Sequence, residues 1–190
     1  EHVLTAIRSA AAGPVAEGNV GAGTGCECFG WKGGIGTTSR KLPDRFGGWT
    51  VGVLLQANFG GVLTIAGAPV GKELGRHAFR LAANEAEGPE RRGDGSCMIL
   101  VATDAPLDAR DLRRLAARAV FGLARTGSSF SNGSGDYAVA FSTAPEMRTT
   151  HGEERRRPRS PLPTEAVSPL FQAALEAVEV APATMRPAFS

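Results

Sequence analysis

The most constraining feature of this chain is an abrupt change of character between residues 95 and 96. NEAEGPERRGDG (84–95) is polar, carries Gly and Pro, and reads as an exposed loop ending at Gly95. SCMILVATDAPL follows at once, and CMILVAT within it has the apolar, β-branched composition of a buried strand. The core therefore starts where the loop stops. Asp108 or the preceding turn caps a predicted helix running to about Arg125, because Leu112, Leu115, Ala116, Ala119, Val120 and Leu123 recur at helical spacing. Arg110, Arg113, Arg114 and Arg118 take its other face. The small-residue loop TGSSFSNGSGD (126–136), the strand YAVAFST and the charged linker MRTTHGEERRRPRSPLP come next. A last helix begins near Thr164, with Leu170, Phe171, Ala174, Leu175 and Val178 along one side. Strand, helix, strand, linker and helix in that order predict helices layered on a sheet, α+β or α/β.

Upstream, residues 3–12 form a short helix, GNVGAGTG (18–25) a loop or turn series, and CECFGWKGGIGTTSR a strand with a polar exit. WTVGVLLQANFG (49–60) reads as a strand, and VLTIAGAPV after Gly60-Gly61 as its hairpin partner. Their near-continuous apolar character predicts a sheet covered on both faces. With 25 Gly and 12 Pro among 190 residues, many tight loops are expected.

Several function classes fall away. Twenty-one basic against 19 acidic side chains leave a net charge of +2, so no global field selects a polyanion. The Arg155–Arg157 tract with Arg159 follows Glu153 and Glu154 and has no interleaved aromatics, which favours a solvated linker over a nucleic-acid contact. No apolar run approaches the roughly 20 residues that cross a bilayer, and the first segment lacks a signal core, so no membrane partner and a cytoplasmic location are expected. Cys26, Cys28 and Cys97 are expected reduced, and the CxC spacing points the first two to one strand face. With only His2, His77 and His151 besides, scattered singly, the usual four-ligand metal spacings are missing. GAGTG (21–25) lacks the lysine and hydroxyl of a phosphate loop, and the Gly-Lys of APVGKE is followed by Glu73. No cofactor is expected.

Gly95-Ser96 carries a more specific possibility. A serine needs a base, and the GxSxG elbow is absent around Ser96. If the chain were cut before Ser96, the freed α-amine, with a reference pKa of about 7.7–8.0, would serve as general base for its own hydroxyl. Gly95 offers no Cβ to block attack on its carbonyl. Local physics alone also allows an ordinary loop end there.

EGNVGAGTGCECFGWKGGIGTTSR, TVGVLLQANFGG, LTIAGAPVGKEL, PLFQAALEA and the long block from GDGSCMILVATDAPL to GSGDYAVAFST resemble the L-aminopeptidase/D-amidase-esterase family, which includes the β-peptidyl aminopeptidases. The similarity extends over most of residues 2–178. It implies a four-layer αββα sandwich resembling N-terminal nucleophile hydrolases and a precursor that cuts itself into 1–95 and 96–190. By resemblance, Ser96 is the new N-terminal nucleophile after Gly95, Asn58 the oxyanion-hole amide, and Ser134 and Asp136 the pair that orients the terminal amine. The implied substrate is a small peptide, amide or ester, and the implied assembly a homo-oligomer of processed chain pairs. Taken locally, Asn58 also fits a strand-end turn former, and Ser134 and Asp136 fit loop residues satisfying backbone groups. Cys97 reads as inert packing, and Gly21, Gly23 and Gly25 as points of close backbone approach.

Two departures stand out. The family's precursors are longer on the N-terminal side, so the sandwich is expected to be incomplete there, in keeping with a start at Glu1 in place of Met. The tail 179–190 carries Pro182 and Pro187 where relatives continue a helix, so that helix is expected to end early. The alternatives are acyl transfer like that of the ornithine acetyltransferases, which use threonine where this chain has Ser96, and a noncatalytic remnant or interaction module.

Overall fold

Elements follow one another as α1 (His2–Arg8), β1 (Glu27–Cys28), β2 (Trp31–Lys32), β3 (Gly34–Lys41), β4 (Thr50–Asn58) and α2 (Val70–Glu73). After them come β5 (Ser96–Thr103), α3 (Ala109–Arg125), β6 (Gly135–Ser142) and α4 (Ser168–Thr184). The computed structural model describes residues 1–77, 95–155 and 157–184. β3, β4, β5 and β6 lie side by side in that order, antiparallel except for the parallel β5–β6 pair. The loop 84–94 and Pro187 fall outside the described residues.

Alternation decides which face is core. Val53 stands opposite Val101, Leu55 opposite Ile99 and Ala57 opposite Cys97, all buried. α4 covers this face over β3 and β4, and α3 covers it over β5 and β6. Leu115, Leu123, Leu170 and Val178 complete the core from the helices, each such side chain contributing about 1.5–3 kcal/mol. The opposite face carries Met98, Leu100, Tyr137, Val139 and Phe141, all exposed. The predicted α+β class holds. Among the described residues helices cover one face of the sheet, and the cover expected on the other face is not among them.

Residues 62–70 are not the hairpin partner of β4. Both edges of β4 are taken, by β3 and β5, and the chain after Gly61 (φ 152°) turns instead to the end of α3, with Val62 and Thr64 donating to the carbonyls of Gly127 and Thr126. Gly-Gly marked a local turn, whereas the pairing is non-local. CECFGWKGGIGTTSR likewise splits into β1, β2 and β3, since Phe29 (φ 53°) and Gly30 (φ 80°) turn the chain. Cys26 consequently precedes β1 and does not share a strand face with buried Cys28.

The helix starts and stops follow local chemistry in one case and burial in the other. Asp108 accepts the Asp111 N–H at 2.8 Å, the side-chain cap expected at that position. Asp111 itself is buried and paired with Arg114 at 2.7 Å. α4, by contrast, runs through Pro182 to Thr184 instead of ending early after Val178. Pro182 removes one donor, at a cost of about 3 kcal/mol in a helix interior, but Ala177, Val178 and Ala181 are buried. Thr38 Oγ1 also donates to the Ala177 carbonyl at 2.7 Å. Burial of the turn that leads into the proline outweighs the lost donor.

Candidate active site

Three strand ends meet at one corner of the sheet. Asn58, the last residue of β4, is in register with Ser96, the first of β5, and Ser96 with Gly135, the first of β6. Alternation puts the Ser96 side chain on the open face, where its Oγ accepts the Gly135 N–H at 3.2 Å. The hydroxyl is therefore held by a backbone donor.

Asn58 is fixed from the other side. Its Oδ1 accepts the Glu27 N–H at 3.0 Å, so the Nδ2 end is the donor. The β1–β2 hairpin is anchored there by the Cys28–Phe59 bridge and by Phe29 N–H donating to the Phe59 carbonyl at 2.9 Å. Gly95 passes very close to this corner: a Cβ on it would lie 2.0 Å from the Asn58 carbonyl oxygen and 2.8 Å from Phe59 Cα. No side chain fits without moving backbone.

Ser134 and Asp136 sit one residue on either side of Gly135. Ser134 Oγ donates to Asp136 Oδ2 at 3.0 Å. The other carboxylate oxygen, Oδ1, is buried and has no hydrogen-bond partner among the described residues. An unpaired buried oxygen costs about 1–3 kcal/mol or more when charged, so it marks a position suited to a cationic donor.

The thiols beneath the corner are free. Burial, with Asp136 and then Cys28 nearby, pushes the Cys97 thiol well above its ordinary value. Burial and then Cys26 push Cys28 up to about 12. Both are neutral packing groups at physiological pH, and among the described residues no group of three or more His, Cys, Asp or Glu is placed to hold a metal. Of the three glycines in GAGTG, only Gly23 makes a close approach, 2.6 Å from the Gly18 oxygen to a Cβ built on it. Gly21 and Gly25 serve positive φ values of 52° and 80° instead.

Sequence reasoning did not single out Gly135 or Glu27. Gly135 lies inside the loop TGSSFSNGSGD, where its place between Ser134 and Asp136 was the available signal. The Glu27 N–H acts through its backbone, and nothing local announces it.

A sheet with helices on one face, and a serine opening a strand behind a glycine, defines a fold found in solved Ntn-type hydrolases. The L-aminopeptidase D-Ala-esterase/amidase of Ochrobactrum anthropi, described as a prototype of the serine aminopeptidases and a variant of the Ntn hydrolase fold, is 38% identical with a TM-score of 0.78. That match covers 96% of this chain and 48% of the solved one. A Burkholderia β-aminopeptidase is 40% identical with a TM-score of 0.78, over 97% of this chain and 50% of that one. The β-peptidyl aminopeptidase BapA of Sphingosinicella microcystinivorans is 46% identical over 95% of this chain. Peptidase family S58 matches residues 1–184, and the chain belongs to it. It spans about half the length of the curated relatives it matches, 47% in the case of BapA. No helix among the described residues is long and apolar enough to cross a membrane.

Proposed function

We propose that this chain carries the nucleophile of a self-processing serine aminopeptidase or amidase that releases N-terminal residues from small peptides, amides or esters. The observation that supports it most is the shared register of Asn58, Ser96 and Gly135, which gathers an amide donor, a hydroxyl and a backbone N–H at one point. Family membership and the aminopeptidase relatives point the same way.

In the processing step Ser96 Oγ attacks the Gly95 carbonyl carbon, the Gly95–Ser96 C–N bond breaks as the hydroxyl proton passes to the departing nitrogen, and an ester forms between Gly95 and Ser96 Oγ. Water hydrolyses that ester, leaving 1–95 with a carboxylate and 96–190 with a free α-amine. Asp136 Oδ1, buried and unpartnered among the described residues, is the acceptor this reading assigns to the new ammonium group.

In turnover the neutral α-amine takes the Ser96 hydroxyl proton as Oγ attacks the substrate carbonyl. The oxyanion accepts from Asn58 Nδ2, an interaction whose loss typically costs about 3–4 kcal/mol of barrier. The amine returns its proton to the leaving group, and water attacks the resulting acyl-serine by the reverse proton path. Ser134 holds Asp136 in place through Oδ2.

N-terminal sequencing of native protein tests the proposal. It should read Ser-Cys-Met-Ile beside the original terminus, and amino acyl p-nitroanilides should be hydrolysed. Substituting Ser96→Ala should abolish both; either one persisting would place the nucleophile elsewhere.

A further inference from the structure

We infer that Tyr137 is a specificity-determining residue that limits the size of the acyl side chain accepted at Ser96, an inference that rests on Ser96 being the nucleophile. Tyr137 is in register with Met98 on β6, two residues beyond Gly135, so its side chain stands on the open face that also carries Ser96. Its ring does not stand straight out from the sheet. A Cβ built on Gly135 would lie 3.2 Å from Tyr137 Cε2 and 3.8 Å from its hydroxyl oxygen, and 3.6 Å from Ser96 Oγ. The ring thus folds back along the strand until only the space above Gly135 separates it from the nucleophile.

That space has a clear consequence. An acyl group bonded to Ser96 Oγ must project over the open face, and on the β6 side it meets the Tyr137 ring one side-chain layer away. Gly135 leaves a gap about as wide as the missing Cβ, enough for a small acyl residue beside the ring. A branched or aromatic one has to displace it. An aromatic on a two-bond arm is rigid enough to act as a wall, since its few rotamers confine it. Pocket walls of this kind discriminate acyl groups by about 10–200-fold per methylene.

Two variants push the limit in opposite directions. Tyr137→Ala should raise kcat/KM for leucyl p-nitroanilide relative to alanyl p-nitroanilide at least tenfold, chiefly by lowering KM for the larger substrate. Gly135→Ala fills the gap and should shift the same ratio the other way. Tyr137→Phe, which keeps the ring, should leave the ratio near wild type. N-terminal sequencing through Ser96 and a Ser96→Ala control accompany each assay. Ser96-dependent turnover with an unchanged ratio in Tyr137→Ala overturns the inference and spares the nucleophile. Turnover indifferent to Ser96→Ala, or none in the unsubstituted chain, removes both.

Discussion

Asn58 and Ser96 form the terminal pair of the β4–β5 register, so strand pairing alone brings a side-chain amide beside the hydroxyl. Its two ends have separate duties: Oδ1 accepts from the Glu27 N–H at 3.0 Å and Nδ2 is left to donate. Asn58→Asp keeps the acceptor and deletes the donor, while Asn58→Ala deletes both. On the proposed mechanism both lower kcat about 10²–10³-fold, but only the alanine variant loses the Glu27 contact. Steady-state kinetics beside thermal unfolding separates the duties: matched losses of kcat with a larger fall in Tm for Asn58→Ala are expected. An Asn58→Asp enzyme with undiminished kcat would show that the oxyanion is stabilised elsewhere.

Gly95 tests the processing step apart from turnover. A Cβ placed there would come to 2.0 Å from the Asn58 oxygen, far inside contact distance and against backbone, which cannot rotate away. Gly95→Ala therefore has to push the scissile segment off the position it holds against the Asn58 and Phe59 backbone. Accumulation of uncut chain is expected on a denaturing gel, with the processing rate down at least tenfold. Processing at the wild-type rate would mean that the junction is attacked in a backbone arrangement unlike this one.

The parts of the molecule that were legible in advance are those specified by neighbours in sequence. Asp108 announces α3 because its carboxylate and the Asp111 N–H belong to one turn, and the step from Gly95 to Ser96 announces β5 because the sequence turns there from a polar run to the apolar CMILVAT. β4 was recognisable as a strand, yet its partners were not, since a Gly-Gly turn is a local signal and pairing with β5 is not. Pro182 misled for a related reason: its local cost is real, but Ala177, Val178 and Ala181 are buried against groups remote in sequence. At the site, Ser96 was a local candidate at the Gly95-Ser96 junction, whereas Asn58, Ser134 and Asp136 came from family resemblance, and the roles of all four belong to the proposal. Glu27 was invisible because its contribution is a backbone N–H.

The cysteines give a pH dependence with a definite sign. Cys28 is held neutral by burial, raised from an ordinary 9.0 to about 12, and Cys97 is raised further still. A raised folded-state pKa means the folded chain keeps its proton where the unfolded chain loses it. The associated stability is complete below about pH 9 and drains away as pH climbs toward 12. Denaturant midpoints measured from pH 8 to 11 should therefore fall with pH, and Cys28→Ala should flatten the slope. At pH 8 a thiol reagent should label half-buried Cys26 well before Cys28 or Cys97. Equal labelling rates in the native state would contradict the burial of the latter two.

Where α3 crosses α4, the contact is set by a missing side chain. A Cβ on Gly122 would lie 2.7 Å from Val178 Cβ and 2.8 Å from the Leu175 carbonyl oxygen. In an exposed helix, alanine in place of glycine would stabilise by about 1 kcal/mol. Here the two helices must separate first, and overpacking of this kind costs about 1–3 kcal/mol. One of the two obstacles is backbone, so packing outweighs propensity and Gly122→Ala lowers Tm. Gly52→Ala is the matched control: it lies on the open face of β4, where the nearest atom to an added Cβ is the Ala102 oxygen at 4.0 Å. Calorimetry should find a Tm unchanged or raised for Gly52→Ala and lowered by several degrees for Gly122→Ala. If Gly122→Ala proves neutral, the helices can part without loss, and the close crossing is not what holds α4 over the sheet.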